Sequence, residues 1–204
     1  MRYATQQKQQ TREQILSAAA RQFRERGFDQ ASVGSIMKEA GLTHGGFYAH
    51  FESKDELIAN VIGGGFDQVS ERFEQQFNHL SGDAWLRTWV DRYLSDGHYH
   101  AMDRGCPMPV LAGEIGRAGE QARHAFTDLF EKRLRRVMQE VDAPEQEARR
   151  RVLAAISQMA GALMLSRTFD NELAQDIRLA AAQSACATLT GKPAVPDTQP
   201  DGHL

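Results

Sequence analysis

The stretch Ser32-Val-Gly-Ser-Ile-Met-Lys-Glu-Ala-Gly-Leu-Thr-His-Gly-Gly-Phe-Tyr-Ala-His-Phe-Glu-Ser-Lys54 decides the fold of this chain. Ser32 is an N-capping residue type, and Val33, Ile36, Met37 and Ala40 behind it share one helical face. Gly41 supplies a tight turn, Leu42 plugs the interior, and Thr43 caps a second short helix over 44–50. Phe47 and Phe51, four residues apart, point inward. Ser53 with Glu56 forms a capping box that opens a longer helix. Helix, glycine turn and helix together make a helix-turn-helix, which presents one short helix at the surface of a small head.

Upstream, Thr11 with Gln14 forms another capping-box pattern, followed by Ile15, Ala18, Ala19 and Phe23 at helical spacing. This predicts a helix over 12–26, ended by Gly27, with a polar and mobile segment over the first ten residues. Downstream, the stripe Ile58, Ile62, Phe66, Val69, Phe73, Phe77 continues the helix begun at Ser53. Further helices are expected near 83–96, 107–118, 120–141, 144–168 and 171–189, with breaks at Ser81-Gly82, Gly97 to Pro107, Pro144 and Asp170-Asn171. The Pro- and Gly-rich tail 191–204 is expected to be disordered. No alternating strand pattern and no repeat occurs. The expectation is an all-α protein of about nine helices, with a three-helix head over 1–54, ordered from about 11, and a larger helical body over 55–190.

Composition is ordinary for a soluble globular chain: 41% hydrophobic and 25% charged over 204 residues. No apolar run approaches the ~20 residues that span a bilayer, and the start carries no apolar signal segment. Cys106 and Cys186 lack paired metal-ligand spacing, so neither a zinc site nor a disulfide framework is expected. A cytoplasmic protein with no membrane partner, metal or cofactor follows. Net charge is −3, but it is divided: residues 1–54 sum to +3 and residues 55–204 to −6. A basic head and an acidic body suit a protein whose head alone approaches a phosphate backbone.

The run Gly41-Leu-Thr-His-Gly-Gly-Phe-Tyr-Ala-His-Phe-Glu-Ser-Lys-Asp-Glu-Leu57 resembles the signature of the TetR/AcrR transcriptional regulators, and Ile15 to Gly27 with Ser32 to Ala40 fits that family's first two helices. The resemblance covers about residues 11–60. It implies a ligand-responsive regulator rather than an enzyme. The expected form is a repressor that binds a palindromic operator in double-stranded DNA as a homodimer and is released by a small-molecule effector. It also places the DNA contacts, at Ser32, Thr43, His44, Gly45, Tyr48, His50 and Lys54. Physically, Thr43 can offer a hydroxyl to a phosphate, Tyr48 and His50 can reach backbone oxygens, and Lys54 supplies a cation. Gly45 and Gly46 stand where longer side chains could have read base edges, which leaves Thr43, His44 and Tyr48 for direct readout. The two glycines permit either close approach to DNA or tight packing on a neighbouring helix. Arg2, Lys8 and Arg12 suit a flexible arm on the phosphates, or simply a solvated basic terminus.

For the body, the resemblance implies effector binding and dimerisation. Helices 144–168 and 171–189 carry more apolar surface than one protomer needs, and Ile156, Met159, Leu163, Ile177, Ala181 and Leu189 are the candidate interface residues. Arg149-Arg150-Arg151, beside Glu145 and Glu147, is a solvated face. Candidate effector-pocket residues are Phe66, Trp85, Trp89, Tyr93, Cys106, Met108, Leu111, Phe130, Met159 and Leu163, although an aromatic stripe at helical spacing also suits plain core. Cys106 sits near an expected helix start, where a thiol is acidified. A redox- or electrophile-sensing repressor is therefore one alternative function, and a constitutive DNA-binding protein without a small ligand is another. An enzyme built on His98, His100, Asp103 or Cys106 lacks a third metal ligand or a positioned base. Gly63-Gly64-Gly65 interrupts the helix after the head, as a compliant joint or as a kink that admits a neighbour.

Overall fold

The computed structural model describes residues 2–65, 71, 74–101, 105–106 and 108–193, with side chains from Gln6 onward. Among these residues every regular element is helical, as the sequence pattern requires. In order they are α1 (Arg2–Gln30), α2 (Val33–Glu39), α3 (Lys54–Asn60), α4 (Gly82–Tyr93), α5 (Asp96–His100), α6 (Met108–Ile115), α7 (Glu120–Met138), α8 (Glu145–Ser166) and α9 (Glu172–Thr190). A 3₁₀ helix, His44–Ala49, lies between α2 and α3, and a π-helical turn, Val61–Gly65, follows α3. The chain divides into two compact units, Met1–Gln76 with His100–Arg133 and Phe77–Tyr99 with Leu134–Leu204. Phe66, Val69, Phe73, Pro107 and nearly all of the tail 191–204 lie outside the described residues.

The core of the first unit is built on the predicted apolar faces: Ile15, Ala19 and Phe23 of α1, Ile36 and Met37 of α2, Phe47, Phe51, and Leu57 of α3 are all essentially inaccessible. Leu111 and Ile115 of α6 and Ala122 of α7 complete the same cluster. Caps set the corners. Ser32 Oγ accepts from Ser35 N–H at 3.0 Å, and Ser53 Oγ accepts from Glu56 N–H at 3.0 Å. The reciprocal arm of the second box lands one residue early, with Glu56 accepting from the Glu52 N–H at 2.6 Å. Gly41 turns at φ +73, which a residue with a side chain adopts only under strain.

Two expectations fail in this unit. Thr11 does not start α1; its hydroxyl donates to the Gln7 carbonyl at 3.0 Å, the back-bond of a threonine inside a helix, and α1 already runs from Arg2. Residues 2–10 are therefore helical, and Arg12 is no part of a loose arm. Its guanidinium donates to Asn60 Oδ1 at 2.7 Å and lies 4.6 Å from the centre of the Phe51 ring. Gly27 does break the helical path, at φ 78 and ψ 176, but one further turn follows it.

In the second unit, Trp85 and Trp89 stack at 6.0 Å, with Phe77 5.3 Å from Trp85 and Tyr93 6.4 Å from Trp89. Arg136 lies over the Trp85 ring at 4.5 Å. The α8 and α9 helices pack side by side, and Val152, Ala155, Met159, Leu163, Ala181, Ala185 and Leu189 on them are buried. The break expected from Gly97 is instead the short helix α5. Its first turn is fixed by Ser95 Oγ, which accepts from His98 N–H at 3.2 Å. Two arginines brace this turn: Arg167 donates to the His98 carbonyl at 2.8 Å, and the buried Arg178 pairs with Asp96 and lies over Tyr99 at 4.2 Å.

His98 packs edge-on to Tyr93 at 4.8 Å, and its Nδ1 lies 2.6 Å from the Tyr93 carbonyl. Burial lowers its pKa below the ordinary value, the Tyr93 carbonyl opposes that shift, and Arg167 adds to it. A histidine with a depressed folded pKa binds its proton less readily than the unfolded chain does. Stability should therefore fall as pH drops below about 6.5 and level off only beneath the folded pKa. Thermal melts between pH 7.5 and 5.5 check this: His98→Gln should flatten the slope, and an unchanged slope would assign the loss to other groups.

Candidate nucleic-acid interface

A helix-turn-helix works only if its reading helix is held rigidly from behind while its outer edge stays open. The chain meets the first condition with bonds that hydrophobic periodicity does not reveal. Gln22, buried on α1, donates to Glu39 at 2.7 Å and accepts from the Ser35 hydroxyl at 2.7 Å, so one side chain fastens α1 to both ends of α2. Arg21 adds a bond to Glu39 at 2.8 Å. These partners, with Gln22 first, hold the Glu39 carboxyl below its ordinary pKa. Phe47 anchors the 3₁₀ helix, stacked on Phe51 at 5.6 Å and edge-on to Tyr48 at 5.3 Å.

Ser32, Thr43, His44, Gly45 and Tyr48 are all exposed, and Tyr48 shows 65% of its surface. Thr43 holds the N-cap backbone geometry, φ −80 and ψ 147, yet its side chain makes no capping bond; the cap is carried by its carbonyl, which accepts from Gly46 N–H at 3.0 Å. The expected side-chain cap at Thr43 is thus not made. His50 is half-buried, and its Nδ1 is sequestered without a hydrogen-bond partner among the described residues. Burial, reinforced by Lys8 and Arg12, lowers its pKa below the ordinary value. Lys54 is also half-buried, its ammonium donating to the Phe28 carbonyl at the end of α1.

The two glycines of the reading helix differ. A Cβ at Gly45 would meet nothing within 4 Å, so no neighbouring helix requires that glycine. A Cβ at Gly46 would lie 3.6 Å from Met37 Cε and 3.7 Å from Thr43 Oγ1, both ordinary contacts.

The body residues singled out in the sequence divide between the two units. Trp85, Trp89, Tyr93, Met159 and Leu163 are buried in the second. Cys106, Met108 and Phe130 are half-buried in the first, while Leu111 is part of the core behind the head. Ile156, Met159, Leu163, Ala181 and Leu189 are buried inside the protomer, and Ile177 is half-buried. The apolar side chains that α8 and α9 leave exposed, or that follow closely on them, are Met164, Leu165, Phe169, Leu173 and Leu179. Helical periodicity picks out the most apolar stripe, and here that stripe is buried within the protomer. Burial pushes the Cys186 thiol up, with Asp91 adding to the shift. Arg150 and Arg151 both pair with Glu147 at 2.7 Å, in keeping with a solvated face. Among the described residues no helix is long and apolar enough to cross a membrane, and no group of three or more His, Cys, Asp or Glu could hold a metal ion.

Residues 15–61 match the family model described as bacterial regulatory proteins, tetR family. The chain is similar to the uncharacterised HTH-type transcriptional regulator YfiR of Bacillus subtilis, 26% identical over 129 residues that make up 62% of each chain. It is similar as well to the HTH-type transcriptional repressor BepR of Brucella suis, 44% identical over 54 residues, or 26% of each chain. The chain thus spans under two thirds of these relatives' lengths. In fold it is similar to Escherichia coli NemR in its reduced form, with a TM-score of 0.73 at 16% identity over 91% of this chain and 100% of that one. The resemblance read from residues 11–60 is borne out.

Proposed function

We propose, from the premise that its head is a TetR-family helix-turn-helix, that the chain is a ligand-responsive transcriptional repressor. In this reading it acts in the cytoplasm, binds a palindromic operator as a homodimer, and leaves the DNA when a small effector occupies its body. The observation that carries the reading is the contrast across the head. Every inward side chain of α2 and the 3₁₀ helix is locked, while Ser32, Thr43, His44, Gly45 and Tyr48 form an open polar edge. The hydroxyls of Ser32, Thr43 and Tyr48 serve phosphate oxygens, and His44 remains as the longest side chain able to reach a base edge. For the effector, the buried Trp85–Trp89 stack favours an apolar ligand. The Trp85 indole N–H, buried without a partner among the described residues, gives such a ligand one polar group to meet.

Selection of bound fragments from the source genome, followed by footprinting, tests the reading. The expected footprint is two-fold symmetric, with half-site centres about 34–36 Å or a multiple apart on one DNA face. Failure to retain any sequence selectively at moderate salt would end it. A single substitution then probes the glycine of the reading helix. Gly45→Ala is expected to leave the melting temperature unchanged or slightly raised, because its Cβ enters open space. Operator affinity should nevertheless fall about ten-fold or more, the cost of a methyl group forced into a close contact. Unchanged affinity would show that DNA does not approach this backbone.

A further inference from the structure

Two glycines in the first unit have carboxylates seated where their side chains would be, and they do so in opposite directions. A Cβ at Gly27 of α1 would lie 2.0 Å from Glu114 Oε1 of α6, and a Cβ at Gly119, just before α7, would lie 2.2 Å from Asp55 Oδ2 of α3. At the first, the Phe28 N–H donates to the Glu114 carboxylate. The Phe28 carbonyl accepts from Lys54, the neighbour of Asp55, so the two polar groups of one backbone residue are held by side chains of opposite charge from two other elements. The Phe28 ring is itself buried, edge-on to Phe23 at 5.0 Å.

We propose that Glu114 is a positioning residue for the DNA-binding head, a latch between α6 and the α1–α2 corner. Phe28 lies four residues before the Ser32 cap of α2, and α2 carries the turn into the 3₁₀ reading helix. The direction in which the chain leaves α1 therefore sets how the open edge is presented. Gly27 supplies a break that only glycine adopts without strain, and Glu114 selects one geometry at that break by accepting from the Phe28 N–H. A displacement of α6 is then transmitted to the head through side chains as well as along the chain, which makes the corner a point where DNA affinity can be set.

The proposal rests on the DNA-binding reading for its outcome but not for its geometry, and two measurements keep them apart. Glu114→Ala, Glu114→Asp and Glu114→Gln are compared with the wild type well below their melting temperatures. Hydrogen exchange is followed at the Phe28 amide, and affinity is measured for the strongest duplex recovered by genomic selection. Removing a charged acceptor should speed Phe28 exchange by about ten-fold or more, with a similar loss of DNA affinity. Gln, which keeps an acceptor oxygen at the same reach, should recover most of both. Asp, one methylene shorter, should not, and it decides the matter if the Ala variant fails to fold. Faster exchange with unchanged affinity would overturn the positioning role, and unchanged exchange would overturn the latch itself. If the wild type retains no duplex, the regulator reading fails, and Phe28 exchange still decides whether Glu114 holds the corner.

Discussion

Gly27→Ala is expected to lower the stability of the chain by about 2–5 kcal/mol, a large share of the 5–15 kcal/mol typical of a folded domain. The loss has two sources. At φ 78 and ψ 176 the backbone occupies a region essentially reserved for glycine, and forcing a side chain into it costs about 1–3 kcal/mol. The added methyl would also stand 2.0 Å from Glu114 Oε1, so the carboxylate must withdraw from the Phe28 N–H. An amide left without an acceptor inside the fold costs about 1–3 kcal/mol more. Two controls isolate these contributions. Gly41→Ala imposes strain at φ +73 but meets nothing within 4 Å, so it should cost only the strain. Gly45→Ala has neither problem. Thermal melts should therefore rank the three with Gly27→Ala lowest, by roughly 5–20 °C from wild type, and equal melting of Gly27→Ala and Gly45→Ala would refute the account. Because the same substitution evicts Glu114, it should also reduce DNA binding beyond what unfolding explains.

How much of this was legible in the sequence depends on whether a feature is local. The caps at Ser32 and Ser53, the turn at Gly41 and the inward pair Phe47 and Phe51 follow from spacing alone, because each is settled within one or two helical turns. Thr11 shows the limit: its pattern matches a capping box, but a helix that already runs from Arg2 gives its hydroxyl the Gln7 carbonyl instead. The bonds that brace the head could not be read in this way. Gln22 with Ser35 and Glu39, Arg12 with Asn60, and Glu114 with Phe28 join residues 13 to 86 positions apart. No periodicity encodes such partners. One weak signal was available, since Gly27 was marked as a helix break, and a broken helix leaves an N–H that needs an acceptor. The interface residues show the opposite difficulty. Met159, Leu163 and Leu189 lie on the most continuous apolar stripes of their helices, and those stripes are buried inside the protomer. Hydrophobicity alone does not distinguish the stripe that packs within the chain from the one left for a partner.

That distinction leads to the second large effect, at Gly161. On α8 the residues Ala154, Ser157, Gly161, Met164 and Leu165 recur at helical spacing opposite the buried face, and all are exposed or half-exposed. A Cβ at Gly161 would meet nothing within 4 Å, so nothing among the described residues requires a glycine there. In an isolated helix, replacing it should add stability, by up to ~1 kcal/mol. If two copies of α8 and α9 meet across a two-fold axis, however, this stripe of small side chains flanked by Met164 and Leu165 is where they would approach most closely. Gly161→Arg would then set two like charges and two long side chains against the axis, while Gly161→Ala would be accommodated. The expected result is an Arg variant that stays folded but sediments as a monomer, melting lower than the wild type only by the stabilisation that the dimer contact supplied. Its operator affinity should drop about 10²–10⁴-fold, because a lone head loses the effective concentration that the second head provides. Its footprint, where one remains, should shrink to a half-site. A Gly161→Arg protein that stays dimeric and keeps full affinity would place the two-fold contact elsewhere. The exposed Leu173 and Leu179 of α9 would then be the next residues to replace.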